Sequence, residues 1–540
     1  MAEIKQSNGR PVIDYMARDG ASLLQAMRTQ IPDLLPEWTD YSDEADFGNV
    51  LLELFAHMGD ILSYYQDRIA NESFLGTAQT RRSIIHHLQL IGYTLATAAP
   101  AAATLTLLLP ESQQGSITIH PGNAFATKSQ RDRPSVRFEY IGEPLQIACD
   151  KLPKSTDAKT GRIYCYYGPD PFVELPRKGI DLPGIPVVEG RLVLNERLGI
   201  ATGKPNQRFP LAHPRLIMHP PGQAQTLHDD IILVVESANG TTERWRQRET
   251  LAFSRPTAQL AAQRDFVVEI DEHDRALVRF GDGEFGAIPP KDAVIKVTYR
   301  VGGGVQGNVA AKTVTTLVDV PQLALIGAAV TNVKPATGGA ERESIAHAVA
   351  QAPTVFRARR RAVTKADYEA LARAYPGVGK VRAVAANWNV VTLHVAPAGG
   401  GELTDTLRAE LIAYFEDKRS ITTRIEVEDV TYVPIAVTAS IGVEPYYDED
   451  TIAARVRTTA GQLLAFDAVD FGQTIYVSKF YEAIEAIDGV SNVYITEFSR
   501  TGEEPAPKEP GRITLFANEI PTSTYENGIK VEVAPRRERE

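Results

Sequence analysis

A chain of 540 residues is too long for one compact core, so three or four domains are expected. Hydrophobic residues make up 43% and charged residues 23%, the balance of an ordinary folded protein rather than a disordered one. The 57 basic residues fall short of the 68 acidic ones, and a net charge of −11 argues against a general nucleic-acid binder, which needs a basic face.

The N-terminus, "MAEIKQSNGRPVIDY", has no apolar run behind a basic start, so no secretory signal is expected. "GASLLQAMRTQIPDLL" reads as an amphipathic helix ended near Pro32 or Pro36. Phe47, Leu51, Leu54, Met58, Ile61, Tyr65 and Ile69 then recur at steps of four and three, a single stripe down a helix of about six turns. Asp43 or Asp46 is the expected cap. "TRRSIIHHLQLIGY" is a shorter helix, with Thr80 as cap and Gly92 as stop. The stripe is either the core of a local helical domain or one side of a bundle shared with a neighbouring chain, since near-heptad spacing suits both. Leu88–Pro110 is uncharged, but Gly92, Pro100 and four threonines interrupt it. It reads as a helix end, a linker and a strand in a soluble protein.

From about Ala101 to Val333, short apolar or alternating runs such as "ATLTLLL", "DIILVVES" and "VIKVTYRV" are separated by Gly, Pro, Asn and Asp, as in an antiparallel sandwich or barrel. Cys149 and Cys165 fall here in no metal or redox spacing; they read as two thiols, with a single disulfide as the other possibility. The Pro- and Gly-rich stretch 150–225 is long and weakly periodic and reads as an inserted or partner-contacting segment. Helices alternate with strands beyond it. The fold class is therefore multidomain α+β: a helical segment over 1–95, a β-rich domain over 96–335, α+β domains over 336–432 and 433–500, and an extension with a charged tail over 501–540. "DYEALARAYPGVGKV" and "FYEAIEAIDGVSNV" echo one another, as in a duplicated helix–strand unit.

Chemistry is hard to find. Gly281, Gly283 and Gly286 in "RFGDGEFGAIPP" spell the dinucleotide pattern G-x-G-x-x-G, but Pro289 and Pro290 follow, and no helix is available to aim N–H groups at a phosphate. The segment is expected to be a turn between strands. "DEHD" at 271–274 lacks the alternating carboxylates and glycine of a calcium loop. His86 and His87 point about 100° apart on a helix and cannot chelate one ion together. His57 and Asp60 share a face without a third ligand. No catalytic, cofactor or metal residues are assigned, and an enzyme is not expected. "FRARRRAVT" gathers Arg357, Arg359, Arg360 and Arg361 in an acidic protein. They read as a carboxylate-binding subunit contact, with a solvated helix face and a nucleic-acid contact as the other readings.

The pair "VRFGDGEFGAIPP" and "VTYRVGGGVQGNV" (Val297–Val309) resembles a paired motif of baseplate J-like proteins. "RRRAVTKADYEALARAYPGVGKVRAV" (Arg359–Val384) resembles the family's next block, and "DEADFGNVLLELFAHMGDILSYYQDRIANESFLGTA" resembles the opening of its larger members. The resemblance runs from about residue 12 to residue 500; it is weakest over 150–225. It implies a structural wedge subunit in the baseplate of a contractile phage tail or injection system, with no catalytic residues. It also implies N-terminal helices bundled with other wedge chains, and a ring of further copies with a second wedge-type subunit, sheath and hub or spike proteins around it. Such a subunit is expected to be made in the bacterial cytoplasm, with no nucleic-acid partner and no direct membrane insertion. A tail-associated glycan or cell-wall hydrolase and a receptor-binding fiber are the competing functions.

Overall fold

A computed structural model describes residues 3–7, 10–14, 19–43, 45–129, 133–158, 160–173, 182–219, 230–254, 263–271, 275–501, 511–525 and 528–534. Its helices in chain order are α1 (Gly20–Leu34), α2 (Phe47–Glu72), α3 (Arg81–Leu90), α4 (Pro321–Leu325), α5 (Ile345–Ala358), α6 (Lys365–Arg373), α7 (Asp405–Phe415), α8 (Glu449–Gly461) and α9 (Val477–Glu485). Among the described residues none is long and apolar enough to cross a membrane. The fold is multidomain α+β, as expected. The chain divides into two compact units, one holding Met1–Leu95, Ile270–Arg275 and Glu343–Arg359, the other holding the remainder.

The first unit opens on an antiparallel hairpin, Glu3–Ser7 with Arg10–Asp14, where the sequence suggested only helices. Asp19 caps α1 with a reciprocal bond to Ser22. Pro32 does not end that helix: it lies inside it, and the chain leaves after Leu34. Near a helix C-terminus one missing N–H costs only one bond, so the turn survives. Asp46 takes the N-cap position of α2 without a capping bond, because its carboxylate accepts from Trp38 Nε1 at 2.7 Å instead. Thr80 and Gly92 start and stop α3 as expected; Gly92 has the positive φ of a helix stop. The unit's core is Ala78, Ile84, Leu88, Tyr93, Ala348 and Ala352, which packs α3 on α5.

In the second unit, the strands Val314–Leu317, Ala124–Thr127, Arg137–Tyr140, Ile185–Glu189, Ala102–Pro110, Ile163–Tyr167 and Lys154–Thr156 lie side by side, with Ala329–Asn332 also paired to Ala102–Pro110. A seven-stranded sheet follows the order Arg191–Ile200, Val294–Val301, Ile231–Glu236, Thr242–Gln247, Asp265–Ile270, Ala276–Phe280, Arg208–Pro210. Ala102–Pro110 is buried on both faces and reads as a near-continuous apolar run, whereas Ile231–Glu236 alternates buried and half-buried residues. The stretch 150–225 is not a separate insertion where it is described. It supplies strands to both sheets, and register shifts at Val193/Glu196 and Arg197/Gly199 break the alternation of Arg191–Ile200. Cys149 and Cys165 are buried free thiols in the core of the first sheet.

Two smaller sheets complete the unit. Val390–Pro397 is the centre of a three-stranded sheet, antiparallel to Val378–Asn387 and parallel to Arg424–Asp429. Thr431–Val443 is the centre of the other, antiparallel to Val490–Arg500 and parallel to Glu519–Ser523 and Lys530–Val533. The echoed segments match in their elements: α6 ends at Arg373, four residues before Gly377, and feeds Val378–Asn387, and α9 ends at Glu485, four residues before Gly489, and feeds Val490–Arg500. Chain order differs, however. The first central strand follows its helix–strand pair, and the second precedes it. The charged tail 535–540 and most of "DEHD" lie outside the described residues.

Candidate functional surfaces and glycine-rich loops

The loop after Phe280 is a turn, as expected. The carboxylate of Asp282 accepts from Glu284 N at 3.0 Å and Phe285 N at 2.7 Å, and Gly283 N donates to Gly286 O at 2.9 Å. The N–H groups that a phosphate would need are therefore taken by the loop's own acceptors. Those backbone bonds, Phe285 first, hold the Asp282 carboxyl below its ordinary pKa. Gly286 N and Ala287 N are also taken, by Ser254 O at 3.1 Å and Gln263 O at 2.8 Å. Gly281 crosses the far side of the loop so closely that a Cβ there would lie 2.3 Å from Gly286 O.

The second half of the motif pair packs over a buried acid. Gly302, Gly303 and Gly304 all take positive φ, and Gly303 N donates to Glu189 Oε2 at 2.6 Å. Arg215 Nη2 donates to Gly303 O. Burial raises the Glu189 pKa, against the pull of the Gly303 N–H, Arg215 and Arg300. One strand away, buried Glu139 pairs with Arg137 at 2.9 Å and Arg300 at 3.0 Å and accepts from Leu192 N at 3.0 Å. Both glycine-rich motifs thus serve packing and chain reversal. Among the described residues no cluster of three or more His, Cys, Asp or Glu side chains could hold a metal.

The apolar stripe of α2 does not enter the core. Phe47, Leu51, Leu54, Met58, Ile61, Tyr65 and Ile69 are all exposed, Phe47 by 73% and Ile69 by 68%, and Val50, Phe55 and Leu62 are exposed with them. The buried α2 residues are instead Asn49, Ala56 and Asn71, and Arg28 of α1 holds the Asn49 side-chain oxygen at 2.7 Å. A surface this apolar is unusual for a chain that works alone.

The arginines part company. Arg360 makes a two-pronged pair with Glu249 of its own chain, at 2.8 and 2.5 Å, which corrects the expectation that all four face a neighbour. Arg357 Nε donates to Pro353 O at 3.3 Å, one turn back along α5. Arg359 caps α5 in the left-handed conformation, and Arg360 also takes positive φ, so these residues form a helix terminus and turn rather than a helix face. Arg359 and Arg361 are exposed and make no side-chain pair among the described residues. Thr364 then caps α6 with a reciprocal bond to Asp367.

A cluster the sequence reading missed surrounds His219. Its Nδ1 lies 2.5 Å from Asp230 Oδ1 and its Nε2 3.6 Å from Glu410 Oε1, while Tyr375 Oη donates to Glu410 Oε2 at 3.2 Å. Residues 219, 230, 375 and 410 are too far apart in sequence for any spacing rule to join them.

Residues 19–90 match the family described as "Bacteriophage baseplate protein, N-terminal domain", and residues 360–428 match the "Baseplate J-like central domain". The resemblance expected from the sequence therefore holds over α1–α3 and over the α6–α7 sheet, although the Arg279–Val309 motif pair lies outside both segments. No curated protein matches the chain. Among solved structures, the anti-feeding prophage (AFP) baseplate is similar over 94% of this chain and 98% of its own, at 12% identity and a TM-score of 0.30. A TssK-TssF-TssG baseplate subcomplex of the type VI secretion system is similar over 70% and 96%, at 8% identity and a TM-score of 0.30. At that score neither likeness establishes a shared fold.

Proposed function

We propose, from the two baseplate-family domains this chain carries, that it is a structural wedge subunit of a contractile phage tail or phage-tail-like particle. It joins a ring around the central hub and couples rearrangement of the baseplate to sheath contraction. The observation that carries this reading is the pairing of the N-terminal and central family domains in one chain. The exposed α2 stripe supports it, since each large apolar side chain removed from water contributes about 1.5–3 kcal/mol and a helical partner is the natural cover. The partners are further copies of the chain and a second wedge-type subunit, with sheath and hub or spike proteins beyond. The protein folds in the cytoplasm of the producing bacterium and ends in the particle, without a cofactor.

Deleting the gene in the producing bacterium tests this. Electron micrographs should show no particles with complete baseplates, and a plasmid copy should restore them. Complete particles that fail only to breach a cell wall would point to a hydrolase instead.

A further inference from the structure

His219 sits where two parts of the second unit meet. Asp230 stands immediately before Ile231–Glu236 of the seven-stranded sheet, and its carboxylate also accepts from His219 N at 2.7 Å. Glu410 belongs to α7, which packs on the three-stranded sheet. Tyr375, just past α6, bonds Glu410 and places its ring 6.3 Å from the imidazole, with Tyr414 of α7 5.1 Å behind it. Asp230, Glu410 and Tyr375 are the titratable groups that face the ring. Among the described residues no Lys or Arg pairs with either carboxylate. The imidazole is therefore the cation between two acids.

A neutral imidazole carries one N–H and one lone pair, so it satisfies one carboxylate and turns a lone pair to the other. Only the doubly protonated ring donates to Asp230 and also holds a positive charge against Glu410, 3.6 Å away. We infer that His219 is a proton-operated latch tying the seven-stranded sheet to the α6–α7 module through Asp230 and Glu410. When the proton leaves, Glu410 stays half-buried without a cation and the joint loosens. Burial disfavours the charged ring, but the bond to Asp230 and the pair with Glu410 outweigh it, and the ring's pKa stands well above its ordinary value. A histidine whose pKa is raised on folding contributes stability that is complete below the unfolded value of about 6.5 and is lost as pH rises through the folded one. The latch is thus closed at neutral pH and opens on the alkaline side.

Hydrogen exchange on the full chain from pH 6 upward, expressed as protection relative to intrinsic rates, tests the latch. Protection of α7 and of the segment around Tyr375 should fall in wild type by about tenfold for each pH unit from the unfolded value of about 6.5 up to the folded midpoint, and level off above it. In His219→Gln, which cannot titrate, protection there should be low and independent of pH. A wild-type profile with no step, or the same step in His219→Gln, overturns the inference. Should that variant not fold, imidazole carbon shifts of labelled wild-type protein decide. A His219 midpoint above 6.5 that falls in Glu410→Gln supports the latch, and a midpoint at or below 6.5 removes it.

Discussion

Single residues in the Gly281–Pro290 loop separate two uses of glycine. Gly281 needs space, since a Cβ would press on Gly286 O at 2.3 Å, whereas Gly283 needs only its positive φ, its nearest obstacle being Ile288 Cδ1 at 3.5 Å. Gly281→Ala is therefore expected to destabilise by about 1–3 kcal/mol or more, because backbone must move. Gly283→Ala should cost about 1 kcal/mol, the left-handed penalty alone. Urea denaturation of both variants checks the ranking, and a larger loss at Gly283 would show that the loop closes differently. Calorimetry with NAD or ATP should give no heat with either variant or the wild type, since the N–H groups from Gly283 to Ala287 are taken by protein acceptors. The turn was legible because Pro289 and Pro290 forbid a helix after the third glycine. The role of Asp282 was not, because any polar residue in a loop looks alike until its bonds are seen. The His219 cluster was illegible for a different reason: tertiary folding alone joins its members.

Among the elements, α2 was read best. Its stripe, cap position and length follow from apolar spacing, and its exposure takes the stripe out of the local core. Leu54→Asp with Met58→Asp changes only exposed positions, so the monomer should keep its circular dichroism and melting temperature while losing co-purification with wedge-type partners. Normal assembly by the double variant would sink the bundle idea. The pairing of Glu3–Ser7 with Arg10–Asp14 was missed because five-residue strands carry too little periodicity. Within 150–225, register shifts hid Arg191–Ile200, and the other strands are only three to five residues long. The echoed helix–strand units were visible as shared residues, but the order of their central strands was not, since similarity records what is repeated and not what pairs with it.

For the whole molecule, the arginines set a test of assembly. Arg360 is used inside the chain, so its replacement should lower stability, whereas Arg359 and Arg361 are free for a neighbour's carboxylates. Arg359→Gln with Arg361→Gln should leave the monomer intact and weaken assembly into larger complexes at low salt. Wild-type assembly should weaken as ionic strength rises and the variant should respond little, because exposed charge pairs are screened. An identical salt profile would return both residues to solvent. A different constraint comes from the second small sheet, whose centre, Thr431–Val443, is made before every strand that flanks it. During synthesis at about 5–20 residues per second, that strand waits on the order of ten seconds for Lys530–Val533. Its apolar edges are open to any neighbouring nascent chain in that interval. A chain cut before Glu519 never closes the second edge and should collect in the insoluble fraction. Ribosomes that stop early would thus release products that aggregate, leaving only finished copies free to be built into a particle.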